Sequence, residues 1–96
     1  MMRYIAVEWI HDDPEDPVWI YNEIGEDNYE VRRVDQFRGG SFQWMDATHE
    51  NDTDFLSYVP IPSLDEINAD PEFCGVEISK ERFEEIWAQA TGGALL

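Results

Sequence analysis

The chain has 96 residues, with 22 Asp and Glu against 6 Lys and Arg, for a formal net charge of -16 and a pI near 4.1. Direct binding to nucleic acid is disfavoured, because phosphate contacts need clustered cations, and an anionic membrane surface is excluded on the same ground. A basic protein would instead be steered toward this one, with association rates raised by factors of about 10 to 1000 at low salt.

The hydrophobic fraction of 43% includes 14% aromatics, which separates the chain from acidic disordered tails. One domain over residues 1–96 is expected, with an ordered core over about 3–90 and a tail at 91–96. A chain of this length buries only about 60 to 65% of its unfolded surface, so a deep cleft is not expected. Cys74 is the only cysteine, and no internal disulfide can form. The opening "MMRYIAVEWI" carries Glu8 and no small-residue cleavage site, so neither a signal peptide nor a membrane span is expected and the location is read as cytoplasmic.

Residues 3–10 alternate, with Ile5, Val7 and Trp9 opposite Tyr4, Ala6 and Glu8, the period of a strand. "HDDPEDP" at 11–17 ends it in a turn holding four carboxylates. Val18 to Ile24 alternates again, with Val18 and Ile20 facing away from Trp19, Tyr21 and Glu23. After "GEDN" comes a third strand, "YEVRRVDQF", whose apolar phase slips between Val31 and Val34 and predicts a bulge near Arg32 and Arg33. "RGGSFQWM" reads as a hairpin with Gly39 and Gly40 in a type I′ turn, leading to a fourth strand with Phe42 and Trp44.

Residues 46–54, "DATHENDTD", read as a surface loop, and "FLSYVPIP" as a short edge strand. Ser63 and Glu66 form a capping box that opens a short helix stopped by Pro71. Ser79 caps a second helix, with Ile78 and Phe83 as its hydrophobic staple. Phe83, Ile86, Trp87 and Ala90 share one face that is expected to lie on the sheet, and Gly92 or Gly93 ends the helix. The fold class is therefore α+β: an antiparallel sheet of four or five strands, a C-terminal helix packed on one face and one short helix before it.

The residues offer little catalytic chemistry. His11 and His49 lie in acidic loops, Cys74 is alone, and no nucleophile elbow or phosphate-cradling glycine loop occurs. "DATHENDTDFLS" spaces its oxygen side chains like a calcium loop, but Asn51 stands where glycine is needed and Ser57 where the bidentate Glu is needed. No enzyme, no metal and no cofactor is expected. The four Trp are read as core residues, with Trp19 and Tyr21 singled out because they share a face with Glu23 directly after the acid loop, as aromatic anchors ringed by acids would.

Four segments, "YIAVEWIHDDPEDPVWIYNEI", "YEVRRVDQFRGG", "VPIPSLDEINADPEF" and "EISKERFEEIW", resemble a family of small acidic bacterial proteins catalogued as a domain of unknown function, over roughly residues 3–87. In size and charge the chain is also similar to the immunity proteins of contact-dependent inhibition and related polymorphic toxin systems. That similarity implies a cytosolic protein that neutralises one cognate toxin, and the charge excess makes a basic toxin, most simply a nuclease blocked at its active site, the expected partner. Partner contacts are expected at Asp12, Asp13, Glu15, Asp16, Trp19, Tyr21, Glu23, Asp46, Glu50, Asp52 and Asp54, with no direct nucleic acid or membrane contact and a free state that is a monomer or weak homodimer. The alternatives are a structural or oligomeric module using the apolar edge near Tyr58 and Val59, or a small metal-dependent protein.

Overall fold

In the computed structural model, which describes residues 1–49, 56, 57 and 59–92, alternation of apolar side chains becomes a five-stranded sheet. The strands are β1 (Arg3–Trp9), β2 (Trp19–Ile24), β3 (Glu30–Gln36), β4 (Phe42–Met45) and β5 (Phe73–Ile78), in the order β4-β3-β2-β1-β5 and antiparallel throughout. Among the described residues two helices complete the fold, α1 (Leu64–Asn68) and α2 (Lys80–Ala90). The α+β class and the C-terminal helix on one face are as the sequence predicts.

Register assigns every side chain to a face. Tyr4, Ala6, Trp19, Tyr21, Val34, Phe42, Trp44 and Ile78 project toward α2, where Phe83 and Ile86 close a core. Ile5, Val7, Ile20, Ile24 and Phe73 project the other way, against Ile61, Leu64 and Ile67 from α1 and the segment before it. Both faces of β1 are thus covered, rather than the single face that its alternation suggests. Trp87 is half-buried, not sealed: it lies at the margin of α2, edge-on to Trp44 at 5.3 Å between ring centres.

Three local expectations change. The fifth strand is Phe73–Ile78, whereas Leu56, Ser57, Val59 and Pro60 form no strand and Phe55 and Tyr58 lie outside the described residues. The bulge is at Val31: Glu23 pairs with Arg32 and Ile24 with Glu30, so one residue of β3 has no opposite. In the β3–β4 hairpin only Gly40 has positive φ, +96°, while the Gly40 amide donates to the Phe37 carbonyl and the Phe37 amide to the Ser41 carbonyl, both at 2.8 Å. That is a three-residue loop with one left-handed position, not a type I′ turn. The β2–β3 connection repeats it with Asn28 at φ 68°.

The helix caps are as read. Ser63 Oγ accepts from the Glu66 amide and Ser79 Oγ from the Arg82 amide, at 3.2 and 3.0 Å. Glu66 reaches the Ser63 hydroxyl, which donates to Oε1 at 3.3 Å, instead of the Ser63 amide. Gly92, at φ +89°, follows the end of α2.

Candidate functional site

Strand ends decide which acids meet. Trp9 pairs with Phe73, so the loop after β1 and the loop before β5 emerge side by side. The Ile10 amide donates to the Glu72 carbonyl at 2.7 Å, and Trp9 Nε1 donates to Glu72 Oε1 at 3.3 Å. Asp12, Asp13, Glu15 and Asp16 therefore share one end of the sheet with Asp70 and Glu72, all exposed except the half-buried Asp16.

This acidic end has an internal scaffold. His11 Nε2 donates to the Pro17 carbonyl at 2.8 Å while its Nδ1 accepts from the Asp13 amide at 3.0 Å, a pairing that assigns the tautomer with its proton on Nε2. Asp13 Oδ1 accepts the Glu15 amide at 2.9 Å, and the His11 ring stands edge-on to Trp9. Arg38 arrives from the β3–β4 loop and donates to the His11 carbonyl at 2.6 Å, which ties the neighbouring loop to this one. The histidine thus organises the turn.

The other expected contacts lie elsewhere. Tyr21 and Glu23 are buried beneath α2, and Trp19 is half-buried beside them with its ring stacked on Tyr21 at 5.9 Å. The alternation is right, but the face carrying these residues is the one α2 covers, so Tyr21 and Glu23 are not available to a partner. Glu23 instead accepts Arg32 Nε at 2.5 Å and the Tyr4 hydroxyl at 3.0 Å, and Arg32 also donates to Glu84 on α2 at 2.7 Å. Burial opposes the Arg32 charge, yet these carboxylates hold its pKa above the ordinary value. Burial, then the bond to Glu23, raises the Tyr4 phenol, and the Arg32 bond lowers the Glu84 carboxyl.

Asp46 follows β4 on the side away from the acid loop: β4 starts at Phe42 opposite Gln36, and Met45 ends it opposite Arg33, midway along β3. Its Oδ1 accepts the Thr48 amide and hydroxyl at 2.9 and 2.8 Å; the hydroxyl bond, foremost, lowers its pKa. Glu50, Asp52 and Asp54 lie outside the described residues, and with them most of the calcium-like spacing. Among the described residues no three His, Cys, Asp or Glu side chains gather as metal ligands, and no helix is long and apolar enough to cross a membrane.

A second site was not legible in the sequence. Between the sheet and α1 lies a half-open cavity of about 470 Å³. Ile5, Val7, Ile20 and Phe73 make it apolar on one side, while Asn22, Glu30, Arg33 and Asp35 line another wall. Glu30 is buried and bonded throughout: Asn22 Nδ2 donates to Oε2, and Arg33 Nη1 and the Ser57 amide donate to Oε1 at 3.1 and 2.9 Å. Arg33 Nε is buried without a hydrogen bond, although Asp35 Oδ1 is 3.4 Å away. The clue was the Val31 bulge, which places Glu30 and Arg33 on the same face although their spacing in an unbroken strand would put them on opposite faces.

The family described as a domain of unknown function (DUF6881) matches residues 3–92. The chain belongs to this family. No curated protein and no solved structure matches it. The matched span runs from the start of β1 through Gly92, so it takes in both the acidic end and the cavity.

Proposed function

We propose that this chain is an acidic binding protein that engages a basic protein partner through the sheet end carrying Asp12, Asp13, Glu15, Asp16, Asp70 and Glu72. In its sharpest form the proposal is an immunity protein that blocks the active site of a cognate basic nuclease toxin in the cytoplasm. One observation carries it: two separate acidic loops are hydrogen-bonded side by side, with Arg38 as the one cation bound to the acid loop among the described residues. Such a patch raises encounter rates with a cationic surface and penalises anionic competitors.

The test is co-expression with the protein encoded beside it, scored for rescue of growth and followed by association kinetics on the purified pair. Asp12→Asn, Asp13→Asn, Glu15→Gln and Asp16→Asn together keep the Asp13 acceptor that holds the turn and remove its charge. Association at low salt is expected to slow by about tenfold or more, with a flatter dependence on ionic strength. Unchanged rates and an unchanged salt slope would remove this end as the contact surface.

A further inference from the structure

We propose that the cavity between the sheet and α1 binds an organic cation: an ammonium or guanidinium head on an apolar stem. This assignment shares Asp70 with the acidic end but does not rest on that end engaging a partner. The volume of about 470 Å³ lies within the range of about 300 to 1,000 Å³ typical of small-molecule sites. Ile20, Ile67 and Phe73, over the buried Ile5 and Val7, give it surface that water satisfies poorly, suited to an alkyl stem.

Charge selects the head group. Among the described residues four carboxylates, Glu30, Asp35, Glu66 and Asp70, line the cavity against the single guanidinium of Arg33. Glu30 and Arg33 are bonded to each other, and Arg33 Nη2 is turned to Met45 Sδ at 3.7 Å. An anionic ligand would find only Arg33 Nε as a charged donor, beside Asp35 and in a predominantly negative wall. A neutral alkyl ligand would strip water from Glu66 and Asp70 and return nothing to them. Those two carboxylates keep accepting capacity: Glu66 Oε1 takes the Ser63 hydroxyl and Asp70 Oδ1 the Glu72 amide, each only part of what a carboxylate can accept. A cation on an apolar stem satisfies both halves of the cavity, as a snorkelling lysine or arginine side chain does at a protein surface.

Two probes share this chemistry and separate its sources: n-hexylammonium for a free small molecule, and acetyl-Gly-Arg-Gly-amide for a side chain presented by another protein. Each is titrated into the isotope-labelled chain while the methyl resonances of Ile5, Ile20 and Ile67 are followed. Saturable shifts confined to these methyls are expected from at least one cation, and the tighter of the two assigns the source. Hexanoate and 1-hexanol are the controls of equal stem length. The combined Glu66→Gln and Asp70→Asn variant, whose amides preserve both local hydrogen bonds, is expected to weaken binding by roughly fivefold or more. Absence of a saturable shift from both cations overturns the proposal. So does an equal response to hexanoate or hexanol in the unaltered chain, a comparison that needs no variant to fold.

Discussion

Helices cover both faces of one sheet, but one cover has 11 residues and the other five. The longer, α2, crosses β1 to β4 and places Phe83 and Ile86 in a dry core with Tyr4, Ala6, Tyr21 and Val34. Its charged intruder, Arg32, lies 4.9 Å from the Phe83 ring centre and 4.8 Å from that of Trp87, and is bonded on both sides to carboxylates. The shorter, α1, has no buried residue; it covers a smaller core of Ile5, Val7 and Ile24, and polar groups on the same face line the cavity beside it. A helix of five residues has almost no stability of its own and exists because it is packed. Cover length thus separates a face that is sealed from a face that keeps a cavity beside its core.

The largest way to test this contrast is to truncate each cover. Phe83, fully buried, is expected to cost about 3 to 5 kcal/mol as Phe83→Ala, read from urea unfolding. Ile67→Ala, from the half-buried side of α1, is expected to cost about 1 kcal/mol, below the range for sealed sites. Equal losses would mean that the second face is as essential as the first.

Next comes the buried charge. Arg32→Met leaves Glu23 beneath α2 with only the Tyr4 hydroxyl among its named side-chain partners, and is expected to cost about 3 kcal/mol, the low end for an orphaned buried ion because the arginine is partly solvated. Adding Glu23→Gln to the same chain should restore part of that loss, since the unpaired charge, more than the missing pair, is what destabilises. A double variant less stable than Arg32→Met alone would contradict this account.

Much of this architecture was legible because local signals agreed. Ser63 and Ser79 each precede a helical pattern, and Trp19, Tyr21 and Glu23 alternate as a strand must. β5 was not legible because Gly75 interrupts it and its apolar residues change sides: Phe73 faces α1, whereas Val76 and Ile78 face α2. The acidic end was half legible, in that "HDDPEDP" announces itself while its neighbours Asp70 and Glu72 arrive through a pairing some sixty residues distant in sequence. Which face of β2 the longer helix would cover depended on where α2 docks, and no periodicity within β2 contains that information.

Gly75 offers a finer probe of the thin cover. A Cβ there would stand 3.1 Å from Leu64 Cδ2 and 3.4 Å from both Ile67 Cγ2 and Val7 Cγ2. Asn68 holds the same residue from the side, accepting the Gly75 amide at 2.6 Å and donating to its carbonyl at 3.0 Å, which also occupies part of the edge of β5. Gly75→Ala is expected to cost about 1 to 2 kcal/mol by crowding. Amide shifts should concentrate in residues 64–68 and leave α2 unmoved. Shifts spread evenly over both helices would show that the two covers are coupled.

The smallest expected effect concerns the outer half of the Arg32 latch. Because the Arg32 bond lowers the Glu84 pKa, the folded state binds that proton less readily than the unfolded chain does. Its stabilisation is therefore fully present above the unfolded value of about 4.3 and is lost as pH falls through the lower folded value. Glu84 is 41% exposed, so solvent screening holds the contribution within about 0.2 to 1 kcal/mol. Urea unfolding of the parent chain and Glu84→Gln should differ by that amount near neutrality and converge as pH falls below the unfolded carboxylate range. A gap that stays constant over this range would mean that Glu84 acts through packing against Arg32 rather than charge, leaving Glu23 as the carboxylate that fixes the guanidinium under α2.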